Sequence, residues 1–330
     1  MILTGCVNVN GEQAVEEATP KAIPPISISR GINLGNWLEA PEPGDWGVMI
    51  EPRHFSAIRE AGFDSVRIPV RFSAHASAHP PYTLDPIFMD IVDEAIQQGL
   101  QNGLYVILDF HHYEEIMQAP QEQAERFLAI WRQLAERYHE ADDNLYFELL
   151  NEPHGRMDDG CWNDLLAKAI GEIRVSNPER WIIVGGVDFN HIDALDEIVL
   201  LEDERIIATF HFYEPFKFSH QGASWVENAA QWSGVQWTGS EEEKQAIETV
   251  LDEATQWSRL HGMPWLMGEF GVIAKADETS RQRWSAFMAD QARQRGIAWI
   301  YWDICGEFQV MDCGTGKWDQ SLLGALMGGR

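Results

Sequence analysis

Basic side chains are scarce in this sequence. Against 52 Asp and Glu the chain carries 24 Lys and Arg, a formal net charge of -28 over 330 residues. A field of that sign repels phosphates and anionic lipid heads, which argues against nucleic acid, or a membrane surface met through a basic patch, as a partner. A neutral ligand is expected instead. Apolar runs of 18 or more residues are also absent, so no segment reads as a membrane span. The four cysteines, Cys6, Cys161, Cys305 and Cys313, have no CxxC spacing of the zinc-binding kind. No GxGxxG follows the first strand-like run, which removes the signature of a dinucleotide fold.

What is present is an ordinary globular composition, 45% hydrophobic and 23% charged, with an unusual 14 tryptophans. Disorder is excluded by that balance. Tryptophan is costly to leave exposed unless a flat ligand face or a partner covers it, so about half are expected in the core and the rest over a ligand. Length alone suggests about two domains, although single α/β barrels run to about 200 to 400 residues.

The N-terminus has its own signal. Leu3-Thr4-Gly5-Cys6 resembles a bacterial lipoprotein cleavage box, yet the basic and apolar segments that precede such a box are missing. Two readings stay open: the sequence starts inside a signal peptide, or the likeness is accidental. On the first, Cys6 is a lipid anchor and the protein is secreted or a cell-envelope lipoprotein. Residues 1–25 then form a lipobox-like segment and a polar, proline-ended tether before one folded domain over 26–330. Cys305 and Cys313 could bridge one short loop in an oxidising compartment.

From Arg30 onward, eight short apolar or β-branched runs alternate with helical patterns. The runs are Gly31 to Leu34, Ser65 to Val70, Leu104 to Phe110, Leu145 to Leu150, Trp181 to Val184, Arg205 to Phe212, Pro264 to Glu269 and Ile297 to Trp302. Between them, stripes of period 3.6 include Phe88, Ile91, Val92, Ala95 and Ile96, then Ala124, Phe127, Leu128, Trp131, Leu134, Ala135 and Tyr138, then Ile247, Val250, Leu251, Ala254 and Trp257. Asp85-Pro86 fits an N-cap with proline at the first helical position, and Ser240 with Glu243 fits a capping box. Eight strand-then-helix units predict an α/β fold, a single-domain (β/α)8 TIM barrel.

Barrels of this kind build their sites at the C-terminal ends of the strands, and polar residues collect there. They are Asn36 and Glu39 after strand one, Arg67 on strand two, His111 and His112 after strand three, Asn151 and Glu152 after strand four, His211 and Tyr213 ending strand six, Glu269 ending strand seven and Trp302 ending strand eight. Carboxylates on strands four and seven face each other across such a mouth. A paired acid and nucleophile is what cleavage of a glycosidic bond requires.

Gly31-Ile32-Asn33-Leu34-Gly35-Asn36, Val66-Arg67-Ile68-Pro69, Asp109-Phe110-His111-His112-Tyr113, Glu148 to Gly155 around Asn151-Glu152-Pro153, and Gly268-Glu269-Phe270-Gly271 resemble, in order, the family 5 glycoside hydrolases, the cellulase family of retaining enzymes. The segment Tyr213 to Trp225 is similar to a loop of bacterial endo-β-1,4-glucanases and endoglucanase/mannanases of that family. The resemblance implies Glu152 as general acid/base and Glu269 as nucleophile, with Arg67, His111, Asn151, His211, Tyr213 and Trp302 around them. It implies Asn36, Glu39, His112, His220 and Trp225 on neighbouring sugars, and Trp302 as an apolar plane for a pyranose.

Further expectations follow from the chemistry. Glu152 must be protonated and Glu269 ionised, the latter favoured by Arg67 and the Tyr213 hydroxyl. The carboxyls should lie about 5 to 5.5 Å apart in a retaining enzyme. The loop tryptophans Trp37, Trp46, Trp162, Trp225, Trp232 and Trp237 are expected to line a groove for a β-glucan polysaccharide or oligosaccharide, while His75, His79, His139 and His261 face solvent. A monomer without cofactor or metal is expected. The rivals are an endo-β-1,4-mannanase or bifunctional glucanase/mannanase, a non-catalytic carbohydrate-binding barrel, and a metal-dependent hydrolase using His111, His112, Glu152, His211 and Glu269. The first strand lacks the His-x-His pair of metal-dependent barrel hydrolases, and both carboxylates are retained, which disfavours the last two.

Overall fold

The computed structural model describes residues 21–199 and 203–328, so Cys6 and the lipobox-like segment lie outside the described residues. Eight parallel strands close on themselves in chain order: β1 (Arg30–Asn33), β2 (Ser65–Val70), β3 (Tyr105–Phe110), β4 (Leu145–Glu148), β5 (Ile182–Gly185), β6 (Ile206–Phe212), β7 (Trp265–Phe270) and β8 (Ala298–Tyr301). Closure is made by β1 against β8, with Gly31 opposite Ile300. Every strand lies within two residues of its sequence expectation. A parallel strand buried on both faces reads as a nearly continuous apolar run, and that is the signal these segments carry.

Helices cover the outside. They are α1 (Pro52–Ala61), α2 (Pro86–Gln101), α3 (Pro120–Arg137), α4 (Asp159–Ser176), α5 (Glu241–His261), α6 (Glu278–Arg295) and α7 (Gln320–Met327). The expected starts are in place: Asp85 accepts from the Ile87 and Phe88 N–H groups, and Ser240 and Glu243 form a reciprocal capping box. Each such cap is worth about 1 kcal/mol against alanine. The α2 stripe buries Phe88, Val92, Ala95 and Ile96, while Ile91 stays exposed.

The unit after β5 departs from the eightfold expectation. Among the described residues its helix slot holds only a 3-10 turn, Ile192–Glu197, preceded by three left-handed residues, Asp188, Phe189 and Asn190. Asp and Asn tolerate that conformation better than most side chains, and here they replace the first helical turn.

The barrel interior is packed. Ile107, Tyr146, Ile183, Ile207, Leu266, Ala298 and Ile300 form a layer near the N-terminal end, closed from below by Ile28. The larger cluster lies between strands and helices. Trp37, Trp162 and Trp237 belong there, not in a groove: each is at most 5% exposed. Trp162 sits on α4 and donates from its indole N–H to the Gly185 carbonyl at 2.8 Å. Trp232 is half-buried against Phe216. His75 also corrects its expectation, because it is buried and stacked on Phe88 with ring centroids 3.5 Å apart. His79 and His139 are exposed and His261 is half-buried.

Candidate active site

The upper end of the barrel interior is ionic. Arg67, on β2 and wholly buried, donates from Nε and Nη2 to both oxygens of Glu148 at 2.7 and 2.9 Å. Nη2 also reaches Asp109 at 2.9 Å and Asn151 Oδ1 at 2.8 Å, and Nη1 reaches Asn33 Oδ1 at 2.9 Å and Glu269 Oε1 at 2.8 Å. One planar fork thereby ties β1, β2, β3, β4 and β7 together. A buried guanidinium is tolerable only when its donors are matched in this way, and the flanking carboxylates hold it well above its ordinary value against the cost of burial.

Glu269 is placed by a break in strand pairing. β6 and β7 run in register to Phe210 opposite Met267, then skip Gly268, so that His211 faces Glu269. A Cβ on Gly268 would fall 2.6 Å from Thr209 Oγ1, so the bulge requires glycine there. The Tyr213 hydroxyl donates to Glu269 Oε2 at 2.8 Å. Glu152, one residue past Asn151, has a φ of 49° that turns its side chain toward the mouth. His211 Nδ1 lies 2.7 Å from Glu152 Oε1 and 3.6 Å from Glu269 Oε2.

One oxygen from each of the two carboxylates and a ring nitrogen of His211 all lie within 4.8 Å of one another. So close an approach of single oxygens is of the retaining kind, short of the roughly 6.5–9.5 Å that inverting enzymes leave for a water. Three such donors could in principle hold a cation. Here, however, a guanidinium already occupies one oxygen of Glu269 and a phenol the other, and His211 turns Nδ1 to Glu152.

Burial pushes both carboxyls up to about 7, against the pull of Arg67 on each. The two differ in what holds a charge once formed. Glu269 has a cation and a hydroxyl donor at 2.8 Å, whereas Glu152 has only His211 and remains partly open to solvent. These contacts favour a charge on Glu269 over one on Glu152. Burial lowers His211 to about 4, so its ring is neutral near pH 7. Burial also lowers His111, which sits 2.5 Å from Asp109 and stacks on Trp302.

Above this floor lies a cavity of about 1050 Å³. Of the expected sugar-facing residues, Asn36, Glu39, His112, His220, Trp225 and Trp302 all line it. Arg67 and His211 are buried and do not line it. Glu39 is buried, accepts from the Asn36 and Trp37 N–H groups, and is pushed up to about 8 by that burial. Asn36 donates to Asp303 at 2.7 Å. At one side Trp46, 44% exposed, meets His112 edge-on; at another Trp225, 57% exposed, meets Phe308. Of the six loop tryptophans only these two line the cavity.

Several functional neighbours were missed by the reading of the sequence. Glu148, Asp109, Asn33 and Asp303 are all wholly buried, and Phe308, Lys275 and Glu307 form part of the cavity wall. Glu148 and Asp109 did leave a trace, each being a lone acid in an otherwise apolar strand, Leu145–Glu148 and Tyr105–Phe110. The wall carrying Glu307 and Phe308 is fastened by the Cys305–Cys313 disulfide and by Arg281, which donates to the Phe308 carbonyl at 2.6 Å.

A closed (β/α)8 barrel with a close carboxyl pair at its C-terminal mouth, one carboxyl held by arginine and tyrosine and the other by histidine, defines a glycoside hydrolase of the retaining geometry. Residues 28–307 match the family model described as Cellulase (glycosyl hydrolase family 5), and the chain belongs to that family. It is 35% identical over 319 residues to Endoglucanase H of Acetivibrio thermocellus, an alignment covering 94% of this chain. The chain spans only 34% of the length of that relative. Endoglucanase C of the same organism is 29% identical, with 84% of this chain and 91% of the relative covered. Among solved structures, Thermotoga maritima Cel5A in complex with mannotriose is 42% identical with a TM-score of 0.89, covering 91% of this chain and 97% of that one. The same enzyme with cellobiose gives 43% and 0.89, with the same coverage.

Proposed function

We propose that the protein is an endo-β-1,4-glucanase that hydrolyses internal bonds of a β-glucan by double displacement. The observation that carries this reading is the pairing of Glu152 and Glu269 in unlike settings in one open cavity. In the first step a carboxylate oxygen of Glu269 attacks the anomeric carbon. The bond to the leaving oxygen breaks as that oxygen takes the proton of Glu152, and a glycosyl ester forms on Glu269. In the second, a water gives its proton to Glu152 while its oxygen attacks the same carbon and releases Glu269. Arg67 and Tyr213 stabilise the departing carboxylate. Asn151, fixed by Arg67, can hydrogen-bond the sugar 2-hydroxyl, a contact that strengthens in the transition state.

A cavity of about 1050 Å³, at the upper end of the range of ordinary ligand sites, has room for more than one sugar. Its exposed Trp46 and Trp225 supply apolar platforms. Glucan is favoured over mannan because the curated relatives are named endoglucanases, although the Thermotoga enzyme was crystallised with both mannotriose and cellobiose. Turnover of carboxymethyl cellulose and of glucomannan by Glu152→Gln and Glu269→Gln tests the assignment. Each variant should lose about 10² to 10⁴ in rate, and near-wild-type turnover in either overturns it.

The reading extends to a monomer, and to export from the cytoplasm, the latter supported by the Cys305–Cys313 pairing. Lipid attached at Cys6 is tested by incorporation of labelled palmitate in a bacterial host. Label that persists in Cys6→Ser refutes it.

A further inference from the structure

His211 presents its Nδ1 to both carboxyls, and its Nε2 meets Asn190. Burial keeps the ring neutral, so it carries one N–H, and the position of that hydrogen decides what Glu152 meets. With the hydrogen on Nδ1, the ring donates to Glu152 Oε1. The acid proton of Glu152 then resides on its other oxygen, free to go to a leaving group. With the hydrogen on Nε2, a bare lone pair faces Oε1 and draws the acid proton to the ring side of the carboxyl.

The group that meets Nε2 is the side-chain amide of Asn190, wholly buried, with Nδ2 at 3.4 Å. With Nδ2 and not Oδ1 on the ring side, the amide offers Nε2 an N–H, an arrangement that makes that nitrogen an acceptor and leaves the hydrogen on Nδ1. The local chain is shaped around this amide. Asp188, Phe189 and Asn190 have φ of 56°, 62° and 56°, a conformation unusual for side chains other than glycine. Gly185 leaves the space: a Cβ there would fall 2.1 Å from Asn190 Oδ1.

We propose that Asn190 is a positioning residue that fixes the His211 tautomer, and through it directs the acid proton of Glu152 toward the leaving oxygen. This rests on Glu152 being the general acid of the reaction described above. Asn190 touches no reacting atom and acts only through His211.

The test compares Asn190→Asp with wild type on cellotetraose, whose leaving oxygen needs a proton, and on 2,4-dinitrophenyl β-cellobioside, whose leaving group does not. Aspartate has nearly the same shape but offers Nε2 an acceptor. The ring then either moves its hydrogen to Nε2 or becomes a cation that holds Glu152 ionised, and both outcomes weaken proton donation. The ratio of kcat/KM for cellotetraose to that for the aryl substrate should fall about tenfold or more, within the range general acid catalysis supplies. A structural defect lowers both values together and leaves the ratio unchanged, and a ratio within twofold of wild type overturns the proposal. If the aspartate variant does not fold, Asn190→Ala should shift the ratio in the same direction, and an unchanged ratio there also overturns it. Wild-type protein that cleaves neither substrate removes the parent reading itself.

Discussion

Nη1 of Arg67 lies 2.8 Å from Oε1 of Glu269, with the arginine wholly buried and the glutamate side chain 6% exposed. The same guanidinium neutralises Glu148 and Asp109. Arg67→Ala leaves three buried acids without a cation, so it should destabilise the fold by about 3–5 kcal/mol as well as abolish activity. Arg67→Lys keeps the charge but not the fork, and should recover only part of the stability. Urea midpoints check this; an alanine variant as stable as wild type contradicts it.

The pH dependence has a definite sign. Burial pushes Glu152 from an ordinary 4.5 up to about 7. Between those values the folded protein holds a proton there that the unfolded chain has released. The contribution of this group to stability is therefore complete below about 4.5 and is lost as pH rises through about 7. Glu152→Gln does not titrate, so its Tm should decline less than that of wild type between about pH 5 and 8. Parallel curves refute the assignment. Wild-type kcat/KM should also fall above about pH 7, where ionised Glu152 has no proton to give.

Two tryptophans separate binding from packing. Trp225→Ala removes an exposed platform and should raise KM for cello-oligosaccharides roughly two- to tenfold, in line with an aromatic contact of about 0.5–1.5 kcal/mol, with little change in Tm. Trp162→Ala, on a side chain 1% exposed, should cost about 3–5 kcal/mol in stability. Equal Tm losses in the two variants refute this division.

The Cys305–Cys313 bridge closes a loop of sequence separation 8 that carries Glu307, Phe308 and Gln309 of the groove wall. Replacing both cysteines by serine should cost about 2–3 kcal/mol, the loop-closure entropy for a loop this short, and should raise KM. The difference vanishes in reductant if the bridge is its source. An unchanged Tm without reductant contradicts it.

Much of this architecture was legible because its causes are local. The strands announce themselves as apolar runs, and the caps of α2 and α5 by Asp85 and Ser240. The site residues stood at strand ends, where a barrel must put them. What escaped depends on contacts distant in sequence. Trp37, Trp162 and Trp237 sit beside loop-like residues in the chain, and only packing decides that they turn inward. His75 is buried by Phe88, an aromatic partner 13 residues away, not by anything adjacent. Asn190 is brought to His211 by a left-handed run that no periodicity describes.

The reach of Arg67 across five strands has a consequence for how the molecule is made. Its partners come from residue 33 to residue 269, nearly the whole span of the barrel. A half-built barrel ending after β4 would hold Asn33, Asp109, Glu148 and Arg67 but lack Glu269, the proposed nucleophile. On the proposed mechanism a nascent or severed fragment is inert, and glucan hydrolysis would report that the last strands have docked onto the first.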